Sequence, residues 1–106
     1  MFDRRNSNSK FSVNDQILFC IYSVSQEHEK CTFDRLVKEC FTRFPESLRF
    51  ERYPIWPDSR KLDRPLRQLR KDALIIGDPK SYFVLTKAGE KYAEQVAKIA
   101  RQGKLL

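Results

Sequence analysis

The chain has 106 residues, 41% of them hydrophobic, and a formal charge of +7. That apolar content excludes an intrinsically disordered chain, and no apolar run approaches the roughly 18–20 residues that a membrane span needs. The excess of 21 Lys and Arg over 14 Asp and Glu favours a polyanionic partner, most simply nucleic acid, although a basic but inert surface has the same composition.

Residues 1–11 are polar and expected to form a flexible arm, and Met1 to Lys10 lacks the apolar segment that would make it a secretory signal. Ser12-Val13-Asn14-Asp15 resembles a capping box and opens a helix over about 13–25. Ile17, Ile21 and Val24, with Cys20 beside them, make its inner stripe, while Phe19 and Tyr22 point the other way. The Cys31-Thr32-Phe33 run is short enough to pair briefly as a strand, and Thr32 can cap a second helix with Asp34 near its positive end. Phe33, Leu36, Val37, Cys40 and Phe44 share one face of that helix, and Pro45 stops it.

Residues 46–58 hold Pro54 and Pro57 with Tyr53 and Trp56 among them, too long a stretch for an ordinary helix–helix connection. Packing beneath the loop is the expected role of these aromatics, with stacking or peptide binding as the alternative. Asp58 or Ser59 caps a third helix, about 60–72, in which Arg60, Arg64, Arg67 and Lys71 repeat at the spacing of Leu62, Leu66, Leu69 and Ala73, shifted by two residues. At about 100° per residue the two sets lie on opposite faces, one aliphatic and one cationic. Pro65 either kinks this helix or makes its regular part begin near Asp63. Leu74-Ile75-Ile76 and Tyr82-Phe83-Val84-Leu85 read as two strands joined by the turn Gly77-Asp78-Pro79-Lys80-Ser81. Thr86 caps a last helix with Tyr92, Val96 and Ile99 and three alanines spread over nearly half its circumference, and residues 101–106 form a short tail.

Three helices, a hairpin and a final helix, with a basic third helix, is the order of winged helix-turn-helix domains. The residues that carry the resemblance are Lys61 to Ile75, similar to a recognition helix of the type x-V-x-R-x-L-x-x-L-x-x-x-G-L-I running into a wing strand, and Phe83-Val84-Leu85-Thr86-Lys87-Ala88-Gly89, which looks like the L-T-x-x-G start of the next helix. The likeness is to small bacterial or archaeal winged-helix transcriptional regulators and covers about residues 12–100. Ala73 stands where that family usually has Gly, which implies a less tightly turned helix end. The fold class expected is therefore mainly α with a small β-hairpin wing, in one domain.

The resemblance implies that the third helix enters the DNA major groove. Arg64, Arg67 and Gln68 then become candidates for reading base edges, because Arg can bridge guanine and Gln adenine. Arg60, Lys61, Lys71, Lys80 and Ser81 are candidates for phosphate contact, and Arg4 and Arg5 for a minor-groove arm. Phe19, Tyr22, Val96 and Ile99 are candidates for a homodimer interface that would present two such helices. Cys20, Cys31 and Cys40, odd in number and widely spaced, do not read as a disulfide framework and fit a reducing cytosol, at the nucleoid for a bacterial or archaeal chain.

His28 and Cys31 have ligand-like spacing, but one His without an acidic cluster does not make a zinc site. The same His28 has no obvious nucleophile beside it, and with three glycines there is no phosphate-binding loop, so neither a cofactor nor catalysis is expected. The function expected is sequence-specific duplex DNA binding in transcriptional regulation. The alternatives are a protein-interaction module of a larger nucleic-acid machine, with a protein partner at the Tyr53 and Trp56 loop, and binding of RNA or single strands, which requires exposed aromatics beside the basic surface.

Overall fold

Four short polar side chains set where the helical segments begin. Ser12 Oγ accepts from the Asp15 amide, Thr32 Oγ1 from Arg35, Asp58 Oδ1 from Arg60 and Thr86 Oγ1 from Gly89, at 3.0–3.2 Å, each satisfying a first-turn N–H that has no partner within its helix. The computed structural model describes residues 11–103. In order these form α1 (Val13–Gln26), α2 (Phe33–Arg43), α3 (Pro45–Leu48), one 3-10 turn (Ser59–Leu62), α4 (Asp63–Lys71), β1 (Ile75–Gly77), β2 (Phe83–Leu85) and α5 (Lys87–Gly103). The fold is mainly helical with one small antiparallel hairpin, in which Ile76 pairs with Val84.

α1 packs against α2, α4, β2 and α5, and so occupies the centre. The expected stripe of Ile17, Cys20, Ile21 and Val24 is buried, and Leu18, Gln16 and Ser23 are buried with it. A surface helix needs one apolar stripe, whereas a helix covered on several sides needs a partner for every side chain. Gln16 Oε1 accepts from Ser47 Oγ at 2.6 Å, and Ser23 Oγ donates to Glu39 Oε2 at 2.9 Å. Leu36, Leu48, Leu62, Leu66, Leu69, Ile75 and Phe83 close the core from the other elements. Each such side chain contributes roughly 1.5–3 kcal/mol by leaving water.

Glu39 is the one buried carboxylate on α2, and the reading of that helix as an apolar face plus solvent did not anticipate it. Burial alone would raise its pKa. Hydrogen bonds from Arg43, Arg35 and Ser23 outweigh that effect and hold it below the usual glutamate range. Arg35 also pairs with Glu27 and Glu29 at 3.0 Å each, so these turn acids fasten the α1–α2 connection.

The third helix is shorter than its cation pattern implied. Pro65 lies in the first turn of α4, where its missing N–H is not required, so the α-helix starts at Asp63 and Arg60 falls in the preceding 3-10 turn. At the other end Ala73 takes φ 61°, the left-handed conformation usually given to glycine. Its amide bonds the Arg70 carbonyl and the Leu74 amide the Leu69 carbonyl, both at 3.0 Å, which is a complete Schellman ending. The expectation of a looser helix end is thus corrected, and the cost falls on the alanine backbone. Gly89 has a different role. A Cβ there would sit 1.9 Å from the Leu74 carbonyl oxygen, so only glycine lets α5 start against this junction.

The thiols behave as small hydrophobes. A hydrogen bond to Cys40, then burial, carries the Cys20 thiol far above its ordinary range, and burial pushes Cys31 up to about 12.

Ala73→Gly should stabilise the protein by about 0.5–1 kcal/mol, because relief of the left-handed alanine exceeds the entropy that glycine adds to the unfolded chain. Gly89→Ala should destabilise by about 1–3 kcal/mol; thermal melts that ranked the two variants in the opposite order would contradict the junction described here. Glu39 has a depressed folded-state pKa, so its stabilisation is fully present above the ordinary glutamate range and is lost as pH falls through the lower folded value. Glu39→Gln should cost about 3 kcal/mol at neutral pH, and its difference from wild type should shrink in urea melts run at progressively more acid pH.

Candidate nucleic-acid interface

Leu62, Leu66 and Leu69 anchor α4 and its preceding turn to the core, leaving Arg64, Arg67, Gln68 and Lys71 exposed on the outer side. Arg64, Arg67 and Lys71 have no ion-pair or hydrogen-bond partner among the described residues. Gln68 Nε2 donates to Asp72 Oδ1 at 3.0 Å, one turn along the helix, which orients its amide and occupies one of its two donors. Arg70 is half-buried and donates to the Gly77 carbonyl at 3.1 Å, so it fastens the helix end to the hairpin and is not part of the outer stripe.

The two cations preceding the helix differ from the expectation. Arg60 forks onto Asp58, with Nε at 3.1 Å from Oδ1 and Nη2 at 3.3 Å from Oδ2. The pair keeps Asp58 below the ordinary carboxylate range and Arg60 further into its charged range. Lys61 Nζ donates to the Arg49 carbonyl at 2.8 Å and so braces the loop before it. Both still reach the surface, but each is committed to the loop and stands apart from the free stripe.

The hairpin turn is built by Asp78, whose Oδ1 accepts from the Lys80 amide at 2.8 Å and the Ser81 amide at 3.1 Å. Gly77, at φ 112°, enters this turn where a Cβ would meet the Tyr82 carbonyl oxygen at 2.0 Å. Lys80 is left exposed near the tip, and the Ser81 hydroxyl lies 3.4 Å from the same carboxylate. Arg4 and Arg5 lie outside the described residues.

The 49–58 loop is the main departure. Tyr53, Ile55 and Trp56 are 63%, 76% and 59% exposed, so the aromatics do not plug the space beneath it. The loop instead closes on its own backbone. Arg49 bridges Pro57, the Phe50 amide bonds the Trp56 carbonyl at 3.0 Å, and the Trp56 amide bonds the Tyr53 carbonyl at 2.9 Å. Buried Leu48 and Asp58 anchor the two ends, and the rings are turned outward. An open cleft of about 750 Å³ lies between this loop and the turn before α4, lined by Phe50, Arg52, Tyr53, Trp56, Arg60 and Lys61 among others. Phe50 and Arg52 were not singled out from the sequence, where nothing in their spacing marks them.

The expected dimer face does not assemble as one surface. Val96 is only 5% exposed and belongs to the protein's own core, because α5 packs along α1. Phe19 is half-buried, edge-on to Phe44 at 6.3 Å between ring centres. Tyr22 lies beside the polar Lys91, Glu94, Gln95 and Lys98 of α5. Only Ile99 of the four is exposed, and Tyr92 beside it on α5 donates its hydroxyl to Asp15 at 2.8 Å. Among the described residues no helix is long and apolar enough to cross a membrane. Comparison of the chain with protein-family models, curated proteins and solved structures gave no match.

Since Arg64, Arg67 and Lys71 hold nothing among the described residues, replacing any of them with Ala should change stability by no more than about 0.5 kcal/mol. Leu66→Ala on the opposite face should cost about 2–5 kcal/mol. Chemical denaturation of the four variants checks this, and a large loss from Arg67→Ala would reveal a structural role for the stripe.

Proposed function

We propose that this chain is a winged-helix domain that binds duplex DNA, with α4 as the helix offered to the major groove and the β1–β2 hairpin as the wing. The observation that carries the reading is the division of labour on α4: the leucines are consumed by the core, and Arg64, Arg67 and Lys71 project with no partner among the described residues. Arg64 and Arg67 at the outer face suit bidentate contact with guanine, and Gln68 keeps a free donor for a base edge. Lys71, with Lys80 at the hairpin tip, suits phosphate. The tight Ala73 junction fixes the hairpin relative to α4, so both would meet one duplex together. The role that fits is a small transcriptional regulator acting by occupancy.

A protein-interaction module is the second reading, favoured by the apolar outer side of the hairpin, where Ile76 and Val84 are exposed as a cross-strand pair.

Titration of labelled duplexes across a salt series separates the two. Duplex affinity should fall steeply with salt as counterions are released. Arg64→Ala or Arg67→Ala should cost about 1–3 kcal/mol on a preferred site and relax sequence preference, while Lys71→Ala should weaken all sequences alike. No duplex binding at moderate salt would sink the reading in favour of the protein-interaction module.

A further inference from the structure

We infer that the cleft between the 49–58 loop and the start of α4 takes an unpaired nucleobase with its phosphate, so that the protein prefers DNA in which a single strand continues from a duplex. This rests on the duplex reading for the neighbouring α4 surface. The loop's rings are exposed, and the backbone bonds that close the loop fix the positions from which Tyr53 and Trp56 project, so both stacking residues are already gathered at the cleft before any ligand arrives. Arg60 adds a second platform. Its two bonds to Asp58 fix the guanidinium plane, with Phe50 lying 5.8 Å away on one side, and the side chain is still 78% exposed. An indole ring and a guanidinium plane both stack on any base, without regard to sequence.

The charges in the cleft fit a phosphate. Arg52 is exposed and has no partner among the described residues, and Lys61 Nζ keeps donors beyond the one given to Arg49. Of the two lining acids, Asp58 is neutralised by Arg60, which leaves Glu51. An apolar peptide segment would also cover the rings, but it would desolvate Arg52 and Lys61 with nothing to answer them. The volume of about 750 Å³ is ample for one nucleotide, being in the range of small-molecule sites. Arg60 and Lys61 line the cleft and immediately precede α4, so the cleft adjoins the N-terminal end of the helix proposed to hold the duplex.

Trp56 is the only tryptophan, so its emission reports on the cleft directly. A short oligothymidine should quench it saturably in the full chain. A duplex carrying a single-stranded extension should bind more tightly than its blunt counterpart, read by anisotropy of the labelled DNA. Trp56→Ala and Tyr53→Ala should each lower affinity for the extended duplex by roughly tenfold and leave blunt-duplex affinity in place; both positions are exposed, and unchanged melting curves would verify the fold. Arg64→Ala should do the reverse, weakening the blunt duplex and sparing the quench. An emission that ignores oligothymidine, or a preference for the extension that survives Trp56→Ala, would overturn the inference. Quenching without any blunt-duplex binding would keep the cleft assignment and overturn the duplex reading alone.

Discussion

Thr86 Oγ1 donates to the Ala73 carbonyl at 2.7 Å while accepting from the Gly89 amide at 3.0 Å, and its own amide bonds the Leu74 carbonyl at 3.1 Å. One residue thereby joins the end of α4, the entry to the hairpin and the first turn of α5. A hairpin of two three-residue strands has no stability by itself. Here Ile75 and Phe83 bury one side of it, Arg70 holds the Gly77 carbonyl, and the Phe83 amide bonds the Cys31 carbonyl at 2.9 Å. The attitude of α4's outer face is fixed by this junction at one end and by Leu62 and Leu66 at the other. Whatever meets Arg64 and Arg67 meets them on a rigid element, which lowers the entropy lost on binding.

Much of this architecture was legible because its causes are local. Ser12, Thr32, Asp58 and Thr86 cap helical segments where their side chains can reach first-turn amides, and the hairpin turn follows from Gly77 and Asp78. Pro65 left two alternatives, and the position of its missing donor selects the later start of α4. What was not legible depends on partners distant in sequence. Leu18 and Gln16 are buried because α1 is covered from several directions, and Val96 is buried because α5 lies on α1. The outward turn of Tyr53 and Trp56 comes from backbone bonds that no residue pattern announces. Arg60 belongs to the same repeat of cations as Arg64, and its place in the 3-10 turn together with the neighbouring Asp58 separates their roles.

The cations divide into two populations on that basis. Arg35, Arg43, Arg60, Lys61 and Arg70 each hold a named acid or carbonyl within the fold. Arg64, Arg67 and Lys71 repel one another at intervals of three and four residues along α4, an arrangement that destabilises a helix by about 0.2–0.5 kcal/mol per pair. Among the described residues no ion pair or hydrogen bond of these three side chains offsets that repulsion, a local inconsistency that supports the proposal of an external partner for this surface.

The shortness of α4 has a consequence for discrimination. Nine residues at about 1.5 Å each extend roughly 14 Å, the length of about four base pairs at 3.4 Å per step. Four fully read pairs separate one sequence from about 256, so a single copy would meet an acceptable tetranucleotide every few hundred base pairs of any genome. Under the proposed duplex reading, a chain built on this helix would act either as a low-selectivity ligand spread over many positions, or as one reader among several whose combined vocabulary is long enough to name a single address.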